Sequence, residues 1–109
     1  MEKIKRKSRH GAIILAYAST YDVIRDYITK YNLKSFKGNV KGIISGSEML
    51  FDHTREVLEK FFNCKVVSRY SNQENGVLGQ DDDINNGFYI NEANYYIEIF
   101  DMNDNKPID

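Results

Sequence analysis

Apolar positions along the chain change their period from segment to segment. Residues 11–17 (Gly-Ala-Ile-Ile-Leu-Ala-Tyr) form an apolar run with no polar break. Such a run predicts a strand covered on both faces, as in a parallel sheet. Val23, Ile24, Tyr27, Ile28 and Tyr31 then recur at helical spacing, so residues 20–31 are expected as an amphipathic helix ending at Asn32. Ser19 and Asp22, three positions apart, have the form of a capping box at its start. Residues 40–44 read as a second strand, with 45–48 as its exit loop. Asp52 is placed to cap a second helix. Val57, Leu58, Phe61 and Phe62 form its apolar stripe, and Arg55, Glu56, Glu59 and Lys60 its wet side. Residues 65–70 read as a third strand.

These strands start about 25 residues apart with a helix between each pair. That spacing predicts a βαβαβ unit over residues 11–76 with right-handed crossovers. The remainder, residues 77–109, has a different texture. Residues 80–87 form an acidic, polar loop. Residues 88–91 and 94–101 alternate as two strands of a hairpin, and 102–105 form a turn. The expected fold class is α/β: a parallel sheet flanked by helices, followed by a C-terminal antiparallel β-hairpin.

Composition narrows the function classes. A chain of 109 residues, 41% hydrophobic and 28% charged, is one globular domain and not a disordered segment. A net charge of −1 argues against a nucleic-acid binder. The one basic cluster, Lys3, Lys5, Arg6, Lys7 and Arg9, reads as a solvated leader over residues 1–10. No apolar run reaches the ~20 residues of a membrane span, and the start lacks the apolar stretch of a signal peptide. A cytoplasmic protein is expected. Cys64 has no partner cysteine, which excludes a disulfide and a cysteine zinc site and leaves a buried structural thiol. His10 and His53 stand 43 positions apart and suggest no shared role. The run Asp81, Asp82, Asp83 lacks the spacing of a calcium loop and reads as solvated.

The candidate chemistry lies at strand ends. In open α/β sheets ligands bind beyond the carboxyl ends of the strands. The segments 17–20, 45–48 and 70–76 all fall there and are expected to converge on one site. The last is the richest. Tyr70 offers a flat face for a base, and Ser71, Asn72 and Gln73 offer hydrogen bonds to phosphate or sugar. Glu74 is a hard oxygen ligand suited to Mg²⁺. The same residues also suit a plain polar turn closed by Asn75 and Gly76; residue types alone leave both readings open.

Tyr70-Ser71-Asn72-Gln73-Glu74 resembles the Y-G-S-T-E-type signature of adenylate-forming enzymes, closest to phenylacetate-CoA ligase and the CapK-type proteins of capsular polysaccharide biosynthesis. Ala16-Tyr17-Ala18-Ser19 resembles the acyl-pocket segment of that family. Ile44-Ser45-Gly46-Ser47-Glu48 resembles its loop on adenine and phosphate. Gly87-Phe88-Tyr89-Ile90-Asn91-Glu92 with Tyr96-Ile97-Glu98-Ile99 resembles the hairpin after the signature. The resemblance spans residues 11–107. It implies that the chain is an internal fragment of the large N-terminal domain of such an enzyme, which joins a carboxylic acid to ATP as an acyl-adenylate and releases pyrophosphate, with CoA as a possible acceptor. By resemblance, Gln73 and Glu74 are the catalytic positions, with Glu74 on Mg²⁺. Ser45, Gly46, Ser47, Glu48, Tyr70, Ser71, Asn72 and Gln73 would bind the nucleotide. Tyr17, Ala18 and Ser19 would border the acid.

The departures are specific. Gln73 stands where the signature has Thr, Ser71 where it has Gly, and Tyr89 where the hairpin has His. Gln73 still offers an amide donor to phosphate. The family's upstream phosphate loop and downstream ribose-binding Asp and catalytic Lys have no counterpart in these 109 residues, so the fragment by itself is expected to be inactive. Cut sheet edges would favour a homodimer. The alternative is a free-standing, non-catalytic nucleotide-binding or structural α/β module.

Overall fold

The computed structural model describes residues 3, 10–82 and 87–108. Most of the basic leader and the centre of the acidic stretch, residues 83–86, lie outside the described residues. Seven elements follow one another: β1 (Ala12–Tyr17), α1 (Ala18–Lys30), β2 (Val40–Gly46), α2 (Asp52–Phe62), β3 (Val66–Asn72), β4 (Gly76–Asp82) and β5 (Gly87–Ile90). The strands make one mixed sheet in the order β1-β2-β3-β4-β5. β1, β2 and β3 are parallel; β4 and β5 are antiparallel additions. The fold is thus α/β, with three strands and two helices alternating in the expected order, but the inner face of α1 is not the expected stripe: Ala18, Tyr21 and Ile28 are buried, whereas Val23, Tyr27 and Tyr31 are exposed.

Neighbouring parallel strands joined by right-handed crossovers place both helices on one face of the sheet. The core sits between them. Tyr21 and Ile28 of α1 and Leu58, Phe61 and Phe62 of α2 are buried against Val40, Ile43 and Val66 of the sheet. Phe36 adds a third ring, 5.1 Å from Phe62 and 6.2 Å from Phe61. A polar link joins the helices. The buried Thr54 hydroxyl donates to Asp22 at 2.6 Å, and Arg25 donates to both, at 2.9 Å and 2.7 Å. α2 ends at Asn63 in the left-handed region, a residue type that tolerates it.

Several further expectations need correction. Asp52 does not cap α2 but is its first residue, and the cap residue, Phe51, makes no side-chain cap bond. β1 is not covered on both faces. Ile13, Leu15 and Tyr17 are 67%, 64% and 58% exposed, because both helices lie on the opposite side. The capping box is not used. α1 starts at Ala18, directly from the end of β1, and its cap residue Tyr17 makes no side-chain cap bond. The tail differs most. Gln80 and Asp81 are not loop residues but part of β4, and β5 pairs with β4 in place of the expected partner at 94–101. Residues 94–99 form no strand; one isolated bridge joins Phe100 to Pro107 around the turn at 102–104. The Asp101 carboxylate accepts the Asn103 and Asp104 amides at 2.7 Å and 3.1 Å, which closes that turn and lowers the Asp101 pKa. No helix among the described residues is long and apolar enough to cross a membrane.

Candidate functional site

The carboxyl ends of β1, β2 and β3 carry the three segments singled out above. β1 passes into α1 without a loop, leaving the first amides of the helix in need of acceptors. One acceptor comes from a distant part of the chain: the Glu48 carboxylate takes the Ser19 N–H at 2.8 Å. That bond holds the Glu48 pKa below the ordinary carboxylate value. It also fixes the β2–α2 connection against the start of α1. At the end of β2, Ser45 is fully buried and its hydroxyl has no hydrogen-bond partner among the described residues. Gly46 follows, also buried, with no atom of the described residues beyond its chain neighbours within 4 Å of where a Cβ would stand. Ser47 then takes a left-handed conformation, φ 65°, which turns the chain over the sheet edge.

Beyond this edge lies a cleft of about 640 Å³. The β2–α2 connection contributes Ser47, Glu48, Met49 and Leu50 to its lining. The sheet contributes Ser68, Tyr70 and Ser71 from β3, Asp81 from β4 and Phe88 from β5. The Tyr70 and Phe88 rings meet edge-on at 6.2 Å and remain 56% and 48% exposed. Flat apolar faces therefore stand beside hydroxyls and backbone. The charges in the lining are Glu48, Asp52 and Asp81 against Arg55 and Arg69. Arg55 is consumed by an ion pair with Asp81 and a bond to the Val66 carbonyl. A ring with hydrogen-bond donors suits such a lining; a polyphosphate does not, and would have to lie outside it, over the strand ends.

Of the residues expected at the site, Ser47, Glu48, Tyr70 and Ser71 line the cleft. Ser45 and Gly46 are buried in β2 directly before it, and Ala18 and Ser19 adjoin it through the bond to Glu48. Tyr17 is exposed and shares with Ile13 and Leu15 the sheet face away from the helices. Asn72, Gln73 and Glu74 do not line the cleft. Asn72 ends β3 and its side chain accepts the Asn75 amide at 2.8 Å, while Gln73 and Glu74 are exposed in the β3–β4 turn. The segment expected as an open loop is the end of a strand and a tight hairpin turn. Among the described residues no group of three or more His, Cys, Asp or Glu side chains converges as a metal cage. Glu74 as a Mg²⁺ ligand would need phosphate oxygens and waters to complete the shell.

Sequence reasoning missed Met49, Arg55, Ser68, Asp81 and Phe88. Phe88 had a signal in the alternation of its strand. Asp81 had none, because an aspartate in an acidic run gives no hint of a partner 26 positions earlier. No protein-family model matches the chain, and a search of curated proteins finds no match.

Proposed function

We propose that this chain carries part of the nucleotide site of an adenylate-forming acid ligase of the phenylacetate-CoA ligase or CapK type. One observation carries the reading. Residues 47–48 and 70–71, far apart in sequence, border one cleft at the carboxyl ends of the parallel strands, with Ser19 bonded to Glu48 beside them. In the proposed reaction a substrate carboxylate oxygen attacks the α-phosphorus of ATP. The new O–P bond forms as the bond to the bridging oxygen breaks, and pyrophosphate leaves with the electron pair. Charge builds on phosphate oxygens, so donors and Mg²⁺ supply most of the stabilisation. Tyr70 would face the base, with Phe88 at its edge. The open space beside Gly46 would admit the nucleotide close to the backbone. Gln73 and Glu74, projecting from the hairpin turn, would meet phosphate and its metal outside the cleft. Of the segment expected to border the acid, Ser19, bonded to Glu48 beside the cleft, would do so, while Ala18 is buried and Tyr17 faces the other side of the sheet; CoA would take the acyl group in a second step.

Two observations favour a second reading, a non-catalytic nucleotide-binding module. Glu48 is already engaged as a helix cap, and Gln73 and Glu74 stand outside the cleft. Binding and turnover separate the two. ATP titrated into the chain should shift the amide resonances of residues 46–48 and 70–71, and Tyr70→Ala should weaken that binding by the ~1–3 kcal/mol typical of a lost stacking platform. ATP–pyrophosphate exchange with a panel of carboxylic acids, on the chain and on any longer protein containing it, then tests ligation. No ATP-dependent shift at these residues would end both readings. Binding without exchange in any such protein would leave the non-catalytic one.

A further inference from the structure

The two sides of the cleft are joined underneath by one ion pair, and we infer that Arg55 and Asp81 form a latch that sets the cleft's width. Arg55 lies in the first turns of α2, directly after the connection that supplies Met49 and Leu50. Its guanidinium is used as a fork. One nitrogen donates to the Val66 carbonyl at the start of β3, and the other to Asp81 of β4. Asp81 is forked in turn. One oxygen accepts Arg55, and the other accepts the Ser68 amide of β3 at 2.6 Å. The side chains of Arg55 and Asp81 are 24% and 14% exposed, and both line the cleft. A planar guanidinium held at two points permits little rotation of the helix over the sheet. Among the described residues α2 has two further polar ties: Glu59, one turn after Arg55, accepts the Val66 amide at 3.0 Å, and on the far side Thr54 is bonded to Asp22 and Arg25 of α1. The Thr54 tie fixes helix to helix and does not reach the cleft.

The latch thus controls how far residues 47–51 stand from the β3–β4 hairpin. It also ties Arg55 and Asp81 to each other, so Asp81 acts on a ligand through the position of the walls and not by contact. Arg55 and Asp81 are positioning residues. Their effect on ATP rests on the proposed function; their effect on the width of the cleft does not.

The test measures the width directly. Spin labels are placed at Met49→Cys and Gln73→Cys, both exposed in the native chain, in a Cys64→Ser background. The distance distribution between them should be narrow. Asp81→Asn should broaden and lengthen it. Arg55→Lys, which keeps the charge and loses the fork, should do so to a smaller degree and serves as the readout if Asp81→Asn does not fold. Asp22→Asn, which disturbs only the tie between helices, should leave it unchanged. In parallel, ATP affinity of the unlabelled Asp81→Asn chain should fall about tenfold or more, the cost of ordering an unfixed site on binding. An unchanged distance distribution in folded Asp81→Asn and Arg55→Lys overturns the latch whatever ATP does. A broadened distribution with no ATP binding in wild type upholds the latch and removes the nucleotide reading.

Discussion

The hydroxyl of Tyr21 ties the first helix to the first two strands. The ring is fully buried, and the oxygen lies 3.1 Å from the Ile14 carbonyl and 3.0 Å from the Ile44 carbonyl. One proton is shared between two acceptors on neighbouring strands. Tyr21→Phe keeps the packing and removes that donor, so it should cost about 1 kcal/mol in urea unfolding. The alkaline behaviour gives a sharper check. Burial pushes the phenol up from 10.0 to about 12, since a phenolate there would be poorly solvated. A folded pKa above the unfolded one means a stabilising contribution that is complete below pH 10 and lost as pH rises through about 12. Tyr21→Phe should flatten this alkaline limb; an identical limb in the variant would show that another group causes it. In sequence, Tyr21 reads only as an aromatic in a helix, since nothing local reveals two carbonyls from two strands.

At the level of elements, the helices were legible and their ends were not. Ile24 and Ile28 mark the inner face of α1, while Val23 of the same apolar stripe is exposed, and the pair Ser19 and Asp22 suggests a cap inside what is the first turn. The acceptor comes from Glu48, 29 positions away. Glu48→Ala should speed amide exchange at Ser19 and leave the middle of α1 unchanged, with a smaller change in Glu48→Gln, which keeps an acceptor. The folded pKa of Glu48 is depressed, so its contribution is present above the ordinary carboxylate pKa and lost as pH falls through the lowered value. Exchange at Ser19 relative to the rest of the helix should therefore rise in acid, and a pH-independent ratio would remove Glu48 from this role. β4 was hidden for a related reason. Gly76 and Gly79 break its apolar run, and its aspartates look solvated. Yet a Cβ at Gly79 would stand 2.9 Å from the Tyr89 carbonyl, so glycine there permits β5 to pair closely. Long-range contacts, not local preference, make this strand. The candidate site divides the same way: its strand-end residues were visible, whereas its floor, Arg55 and Asp81, depends on a pairing that sequence spacing does not encode.

For the whole molecule, the decisive feature is a sheet dressed on one side. An apolar strand such as β1 announces burial without saying on how many faces. The two faces should respond differently to substitution. Leu15→Ser, on the bare side, should change stability by less than about 0.5 kcal/mol, whereas Ile43→Ala, at 0% exposure, should cost about 2–5 kcal/mol. Equal costs measured by denaturation would mean that the bare side is covered in solution. The same sheet also changes character at β3, which has a parallel neighbour on one side and an antiparallel one on the other. That difference has a kinetic consequence. A hairpin closes in ~1–10 μs, while parallel pairing must wait for a whole helical crossover to be enclosed. β3 is therefore a boundary in time, where an early half of the chain meets a late one. Pulse-labelled exchange during refolding should protect the amides of Tyr70 and Gly79 before those of Leu15 and Ile44. Protection in the reverse order would place the folding nucleus among the crossovers, and the hairpin would then be the last part of the molecule to form.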